Sequence, residues 1–151
     1  MLPLSTGTPI ASSSTRRDSW PEVLTLFYER RHNVVLTRVS GVLSSEDIAE
    51  HDRVLLNFLV GKDGVRGLYD FSSIDALAVP ISKINQRGQR PAIIGGMRVV
   101  VAAPGAAGRD FATRMADQLR GAGHREPLIV GALADAYQLL ELDNPQFERI
   151  E

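Results

Sequence analysis

The chain is 151 residues long, 44% hydrophobic and 23% charged, with a formal net charge of −1. At roughly 150 residues per domain this is one globular domain, long enough to bury about 68–70% of its unfolded surface without covalent staples. It contains no cysteine, which excludes disulfides, thiolate metal sites and cysteine nucleophiles, and suits a reducing cytoplasm. The balance of 17 Lys+Arg against 18 Asp+Glu argues against nucleic acid as a partner, and no apolar run approaches the ~18 residues of a membrane span.

Residues 1–17 hold seven Ser/Thr, two Arg, two Pro and no acid. They lack the apolar core of a signal peptide and the amphipathic stripe of a transit peptide. Residues 1–20 therefore read as a flexible N-terminal arm. A single domain is expected over 21–143 and a C-terminal tail over 144–151. Two β-branched or aromatic runs, 23–29 and 34–40, flank the polar Arg30-Arg31-His32-Asn33 and predict a β-hairpin, with Gly41 ending the second strand. Ser44 and Asp47 stand at the spacing of a capping box, and Ile48, Leu55, Phe58 and Leu59 continue at helical spacing to about residue 60. Residues 65–71 predict a strand, followed by a loop through Val79. Pro80 opens a short helix over 81–89. The run 97–103 is a continuous apolar strand of the kind buried on both faces. A helix carrying Phe111, Met115 and Leu119 follows, then a short strand at 128–130 and a last helix over 133–142. The order β-β-α-β-α-β-α-β-α predicts an α/β fold, with a mixed sheet of one antiparallel pair and parallel strands joined by crossover helices.

This order, the Gly41 turn into an acidic helix start, and the strand end Asp70-Phe71-Ser72-Ser73-Ile74 resemble the STAS family, the sulfate-transporter and anti-sigma-factor-antagonist domain. The resemblance covers residues 23–142. It implies a STAS-like fold and a bacterial, regulatory role in protein–protein interaction. In members regulated by phosphorylation, the strand end continues into an Asp-Ser/Thr-Ser-Gly turn that carries the phosphoacceptor. Here the corresponding residues are Asp75-Ala76-Leu77-Ala78-Val79-Pro80-Ile81, without a hydroxyl. The phosphoacceptor does not carry over, and no kinase switch is expected at this loop.

Signatures of catalysis are missing: there is no Gly-x-Ser-x-Gly elbow, no phosphate-binding Gly-Lys-Ser/Thr loop and no Ser-x-x-Lys. His32, His51 and His124 show no metal-binding spacing, so neither metal nor cofactor is expected. His51 falls at the edge of the apolar stripe of its helix, as a packed and hydrogen-bonded residue would. Ligands of open α/β sheets meet the carboxyl ends of the strands. Two loops there are candidates. One carries Asp70, Ser72, Ser73 and Asp75; the other carries Gly105, Gly108 and Arg109 at the start of a helix, whose free N–H groups attract anions. The stretch from Ala76 to Arg109 has five basic residues and no acid, and Lys83, Arg87 and Arg90 share a helical face at i, i+4, i+7. The acids between Asp135 and Glu151 offer a complementary patch for self-association. The expected function is a non-catalytic binding or interaction domain, recognising a protein partner or a small anionic ligand at these loops. Alternatives are a dimerising structural module, a homodimer without ligand, and a small hydrolase or transferase.

Overall fold

The computed structural model describes residues 23–150, so the expected arm over 1–20 lies outside the described residues. β1 (Leu24–Glu29) and β2 (Val34–Ser44) form the antiparallel hairpin. Asn33 turns it at φ 58°, a left-handed conformation that asparagine tolerates. Then come α1 (Ser45–Leu59), β3 (Arg66–Ala78), α2 (Ile81–Gly88), β4 (Arg98–Val101), α3 (Ala107–Gly121), β5 (Leu128–Val130), α4 (Leu133–Leu139) and β6 (Glu148–Arg149). The sheet runs in the order β5-β4-β3-β2-β1-β6. β2 to β5 are mutually parallel, and β1 is antiparallel to both of its neighbours. This is the mixed α/β sheet predicted from the sequence, with one strand added at its edge.

Alternation along the strands sorts side chains to two faces. Val35, Thr37, Val39, Tyr69, Phe71 and Val100 face α1, α2 and α3, packing with Ile48, Leu55, Ile84, Phe111 and Ala112. Val34, Leu36, Leu68, Val99 and Val101 face the other way, where Ala136 and Leu140 of the α4 region cover them. The start of α1 is fixed as expected: the Ser44 hydroxyl accepts the Asp47 N–H at 3.2 Å, and the Asp47 carboxylate accepts the Ser44 N–H at 3.1 Å.

Three expectations are corrected. Gly41 does not end β2; it sits at φ 76° beside a register shift, and the bulged strand runs on to Ser44. That extension supplies a ladder partner for residues 73–78, so β3 continues to Ala78 where a loop was expected. Its buried positions, Phe71 and Ile74 with Leu77 half-buried, fall three apart, a period that strict alternation does not detect. The segment 144–151 is not merely a tail, because β6 within it pairs with β1.

Glu29 explains how that segment is held. It is 1% exposed, and its carboxylate accepts the His32 N–H at 2.7 Å, the His32 Nδ1–H at 2.8 Å and the Gln146 N–H at 2.8 Å. Nε2 of His32 in turn accepts the Asp143 N–H at 3.3 Å. Burial alone raises the Glu29 pKa. The backbone N–H groups of Gln146 and His32, with the His32 ring, outweigh it and hold the acid at about 2 against an ordinary 4.5. One buried carboxylate therefore ties the hairpin turn to the C-terminal strand.

Candidate functional site

Between the inner sheet face and helices α1 and α3 lies a cavity of about 260 Å³. Its walls are mostly apolar, and Leu56, Arg90 and Pro91, all exposed, stand at its rim. The polar groups it contains come from nearby positions of three strands, from α1 and from α2 with the residues just beyond it. In the parallel register, Thr37 pairs with Tyr69 and Tyr69 with Val100, while Gly67 pairs with Arg98. A side chain at Gly67 would meet Tyr69 and Ile94 at 3.1 Å and the Arg98 stem at 3.3 Å. Glycine inside this strand is what lets the arginine lie along the sheet.

One chain of polar groups is satisfied link by link. Asp52 accepts both guanidinium nitrogens of Arg87, one at 2.9 Å, and lies 3.1 Å from Nδ1 of His51. With Nδ1–H donated to the carboxylate, Nε2 accepts the Thr37 hydroxyl at 2.9 Å. Thr37 is 2% and His51 7% exposed, so this relay is internal. His51 is thus the packed, hydrogen-bonded residue its position on the helix predicts.

Arg98 and Tyr69 are not satisfied in the same way. Arg98 is 7% exposed and has no carboxylate partner among the described residues. One of its nitrogens donates to the Arg125 carbonyl, and its buried Nε has no acceptor among the described residues. Burial pushes its pKa down; the nearby Tyr69 opposes that shift and the like charge of Arg125 adds to it. The Tyr69 ring stacks at a tilt with His51 (6.4 Å) and edge-on with Phe71 (6.1 Å). Burial pushes its hydroxyl pKa up, keeping it a neutral donor, and no hydrogen bond joins that hydroxyl to a described residue.

Of the residues expected from sequence, only Arg87 and Arg90 reach this cavity. Arg90 lies beyond the end of α2 at Gly88, so the i, i+4, i+7 face is a two-residue face, Lys83 and Arg87; Lys83 is exposed. Asp70 and Ser72 sit on β3 rather than in a loop: the Asp70 carboxylate accepts the Ser72 hydroxyl at 2.5 Å and faces Arg38 at 3.8 Å. Ser73 and Asp75 are exposed on the same strand. Gly108 is a packing glycine, since a Cβ there would stand 2.6 Å from the Phe71 carbonyl oxygen. Arg109 donates to the Ala102 carbonyl at 2.9 Å, finishing the end of β4, and Gly105 takes φ 82° in the turn before α3. Reading for strand ends passed over Thr37, Asp52, Tyr69 and Arg98. The signals were present: a threonine at an inward position of β2, a charge opening an apolar run at 98, and a glycine inside β3.

No family model and no curated protein matches the chain. Among solved structures, it is similar to an uncharacterized protein of the DUF3478 family with a SpoIIAA-like fold, from Shewanella loihica PV-4. The two share 16% identity at a TM-score of 0.48, over 71% of this chain and 83% of that one. Among the described residues, no helix is long and apolar enough to cross a membrane.

Proposed function

We propose that this is a non-catalytic binding domain that takes a small molecule in the cavity between the sheet and helices α1 and α3, working in the cytoplasm without a cofactor. The observation that carries this reading is the cavity itself. Protein interiors pack to crystal density, whereas this one keeps a space of about 260 Å³ whose walls are mostly apolar and whose polar groups converge from three strands and from helices α1 and α2. The charges around it favour an anion: three guanidinium groups, Arg87, Arg90 and Arg98, stand against the single carboxylate of Asp52.

A second reading has one specific observation behind it. Thr37, His51 and Asp52 follow the order of nucleophile, base and orienting acid in acyl transfer. Two features weigh against it. β2 is central and its backbone is paired on both sides, so its strand offers no free N–H pair for an oxyanion, and Arg87 already engages the Asp52 carboxylate.

Titration with the neutral fluorescent dye 1-naphthylamine, whose ten carbons and one nitrogen match the cavity, separates the readings. One saturable site per chain is expected, lost in Ala112→Leu, which places extra carbons in the cavity, provided circular dichroism shows that the variant is folded. Absence of a saturable site in the wild type overturns the binding reading. Turnover of p-nitrophenyl acetate that disappears in Thr37→Val replaces it with the acyl-transfer one.

A further inference from the structure

We propose that the ligand is a monocarboxylic acid with an apolar body of about ten carbon atoms, its carboxylate seated on Arg98 and the Tyr69 hydroxyl. This rests on the reading of the cavity as a binding site and adds the chemistry of its occupant.

The size follows from the volume. A dry cavity of about 150 Å³ accepts a six-carbon ring, near 25 Å³ per carbon, so about 260 Å³ accommodates roughly ten. The charge follows from what the protein leaves unmatched. A guanidinium carries five N–H donors. Among the described residues, Arg98 places one on the Arg125 carbonyl, and its charge meets no carboxylate. The other cations are accounted for differently: Arg87 is held by Asp52, and Arg90 is in water at the rim. Thr37 has committed its hydroxyl to His51 and has no proton left to offer. The Tyr69 hydroxyl remains, a neutral donor lining the same cavity as Arg98 and two residues along the neighbouring strand from Gly67, the register partner of Arg98.

A planar carboxylate suits these two donors. It accepts from a guanidinium in a fork and still has a lone pair for a phenol O–H. A phosphate monoester, with nearly twice the charge and three oxygens, would need more donors than this end of the cavity supplies. Apart from the chain Thr37, His51, Asp52 and Arg87, whose polar groups are engaged with one another, and Arg90 at the rim, the remaining walls are hydrocarbon and aromatic, among them Phe71, Val100, Phe111 and Met115, and they favour an apolar body. The occupant is therefore an amphipathic acid with one charged end.

Decanoate and 1-decanol, equal in length and differing in the head group, test this by isothermal titration calorimetry against the wild type, Arg98→Met and Tyr69→Phe. Decanoate should bind the wild type at least about 10-fold more tightly than the alcohol, the value of a charge-assisted hydrogen bond. Arg98→Met should remove that preference while keeping affinity for the alcohol, and Tyr69→Phe should reduce it severalfold. The Arg98 Nε–H resonance should shift on adding decanoate and stay in place on adding decanol. Equal affinity of the wild type for acid and alcohol overturns the proposed ligand and leaves the cavity reading intact; failure of the neutral dye to bind overturns both. A decanoate preference that persists unchanged in both folded variants places the carboxylate elsewhere and also refutes it. If Arg98→Met does not fold, the Tyr69→Phe affinities and the wild-type Nε–H shift decide the question.

Discussion

Replacing Glu29 with glutamine keeps the shape of the side chain and removes its charge, which isolates what the buried carboxylate does. In the native protein one oxygen accepts two donors from His32 and the other accepts the Gln146 N–H. Glutamine has one carbonyl oxygen, so an NH₂ group must face either Gln146 or His32, donor against donor. One charge-assisted hydrogen bond, about 1.5–3 kcal/mol, is lost, and the other two weaken to the ~1 kcal/mol of neutral bonds. The expected destabilisation at neutral pH is about 3 kcal/mol, or roughly 10 °C in Tm for a domain of this size. Its pH dependence has a definite sign. The folded pKa is about 2 and the ordinary value 4.5, so the carboxylate contributes its stability in full above 4.5 and loses it as pH falls toward 2. Urea unfolding of wild type and Glu29→Gln should therefore show a gap that is constant from pH 7 to about 5 and closes between 4.5 and 2. Amide exchange should localise the loss first to Ile150, whose N–H donates to the Leu26 carbonyl at 2.9 Å. A gap that stays the same at pH 2.5 as at pH 7, or a variant as stable as wild type at neutral pH, would refute the assignment of this carboxylate as the tie between hairpin and C-terminal strand.

Two further substitutions test the packing that frames the cavity. Val100, 4% exposed on β4, an interior strand paired on both sides, faces the cavity side of the sheet, and Val100→Asp should cost several kcal/mol by leaving a charge without a partner; loss of cooperative thermal unfolding is the readout. Gly108→Ala should destabilise by about 2 kcal/mol, since the new methyl would lie 2.6 Å from the Phe71 oxygen and must push α3 off β3, and a lower Tm with unchanged far-ultraviolet circular dichroism is the expected result.

The parts of the fold that were legible in the sequence are those set by local chemistry. Ser44 and Asp47 mark the start of α1 because a capping box is a contact between residues three apart. The run 97–103 contains β4 because continuous β-branched residues suit a strand covered on both sides. What was not legible depends on partners far along the chain. β3 reaches Ala78 only because the bulged end of β2 lies beside it, and β6 is a strand only because β1 offers an edge and Glu29 holds the approach. The site was displaced for the same reason. Arg87 looked like one member of a free cationic face, and its nearest anion, Asp52, is 35 residues away on another helix. Gly108 looked like room for an anion to approach, and the room is filled by the backbone and side chain of Phe71 on β3.

The distinction between matched and unmatched polar groups also explains why the cavity has two different ends. Thr37, His51, Asp52 and Arg87 form a chain in which each donor meets an acceptor, so their burial costs little and their geometry is fixed by one another. Such a chain holds α1 against the sheet and against α2, keeping the walls apart where apolar side chains alone would close in. Arg98 sits two residues from the Tyr69 row, beside a glycine, with its charge unmatched by any described carboxylate. A leucine or methionine there would pack as well without a desolvation cost, and replacing buried ionic groups by apolar ones is often neutral or stabilising. The matched chain therefore shapes the space, and the unmatched cation gives that space its preference for a negative charge. The two contributions are separable: removing Arg98 should change which head group is preferred, whereas breaking the Asp52–Arg87 link should change whether a cavity of this size persists at all.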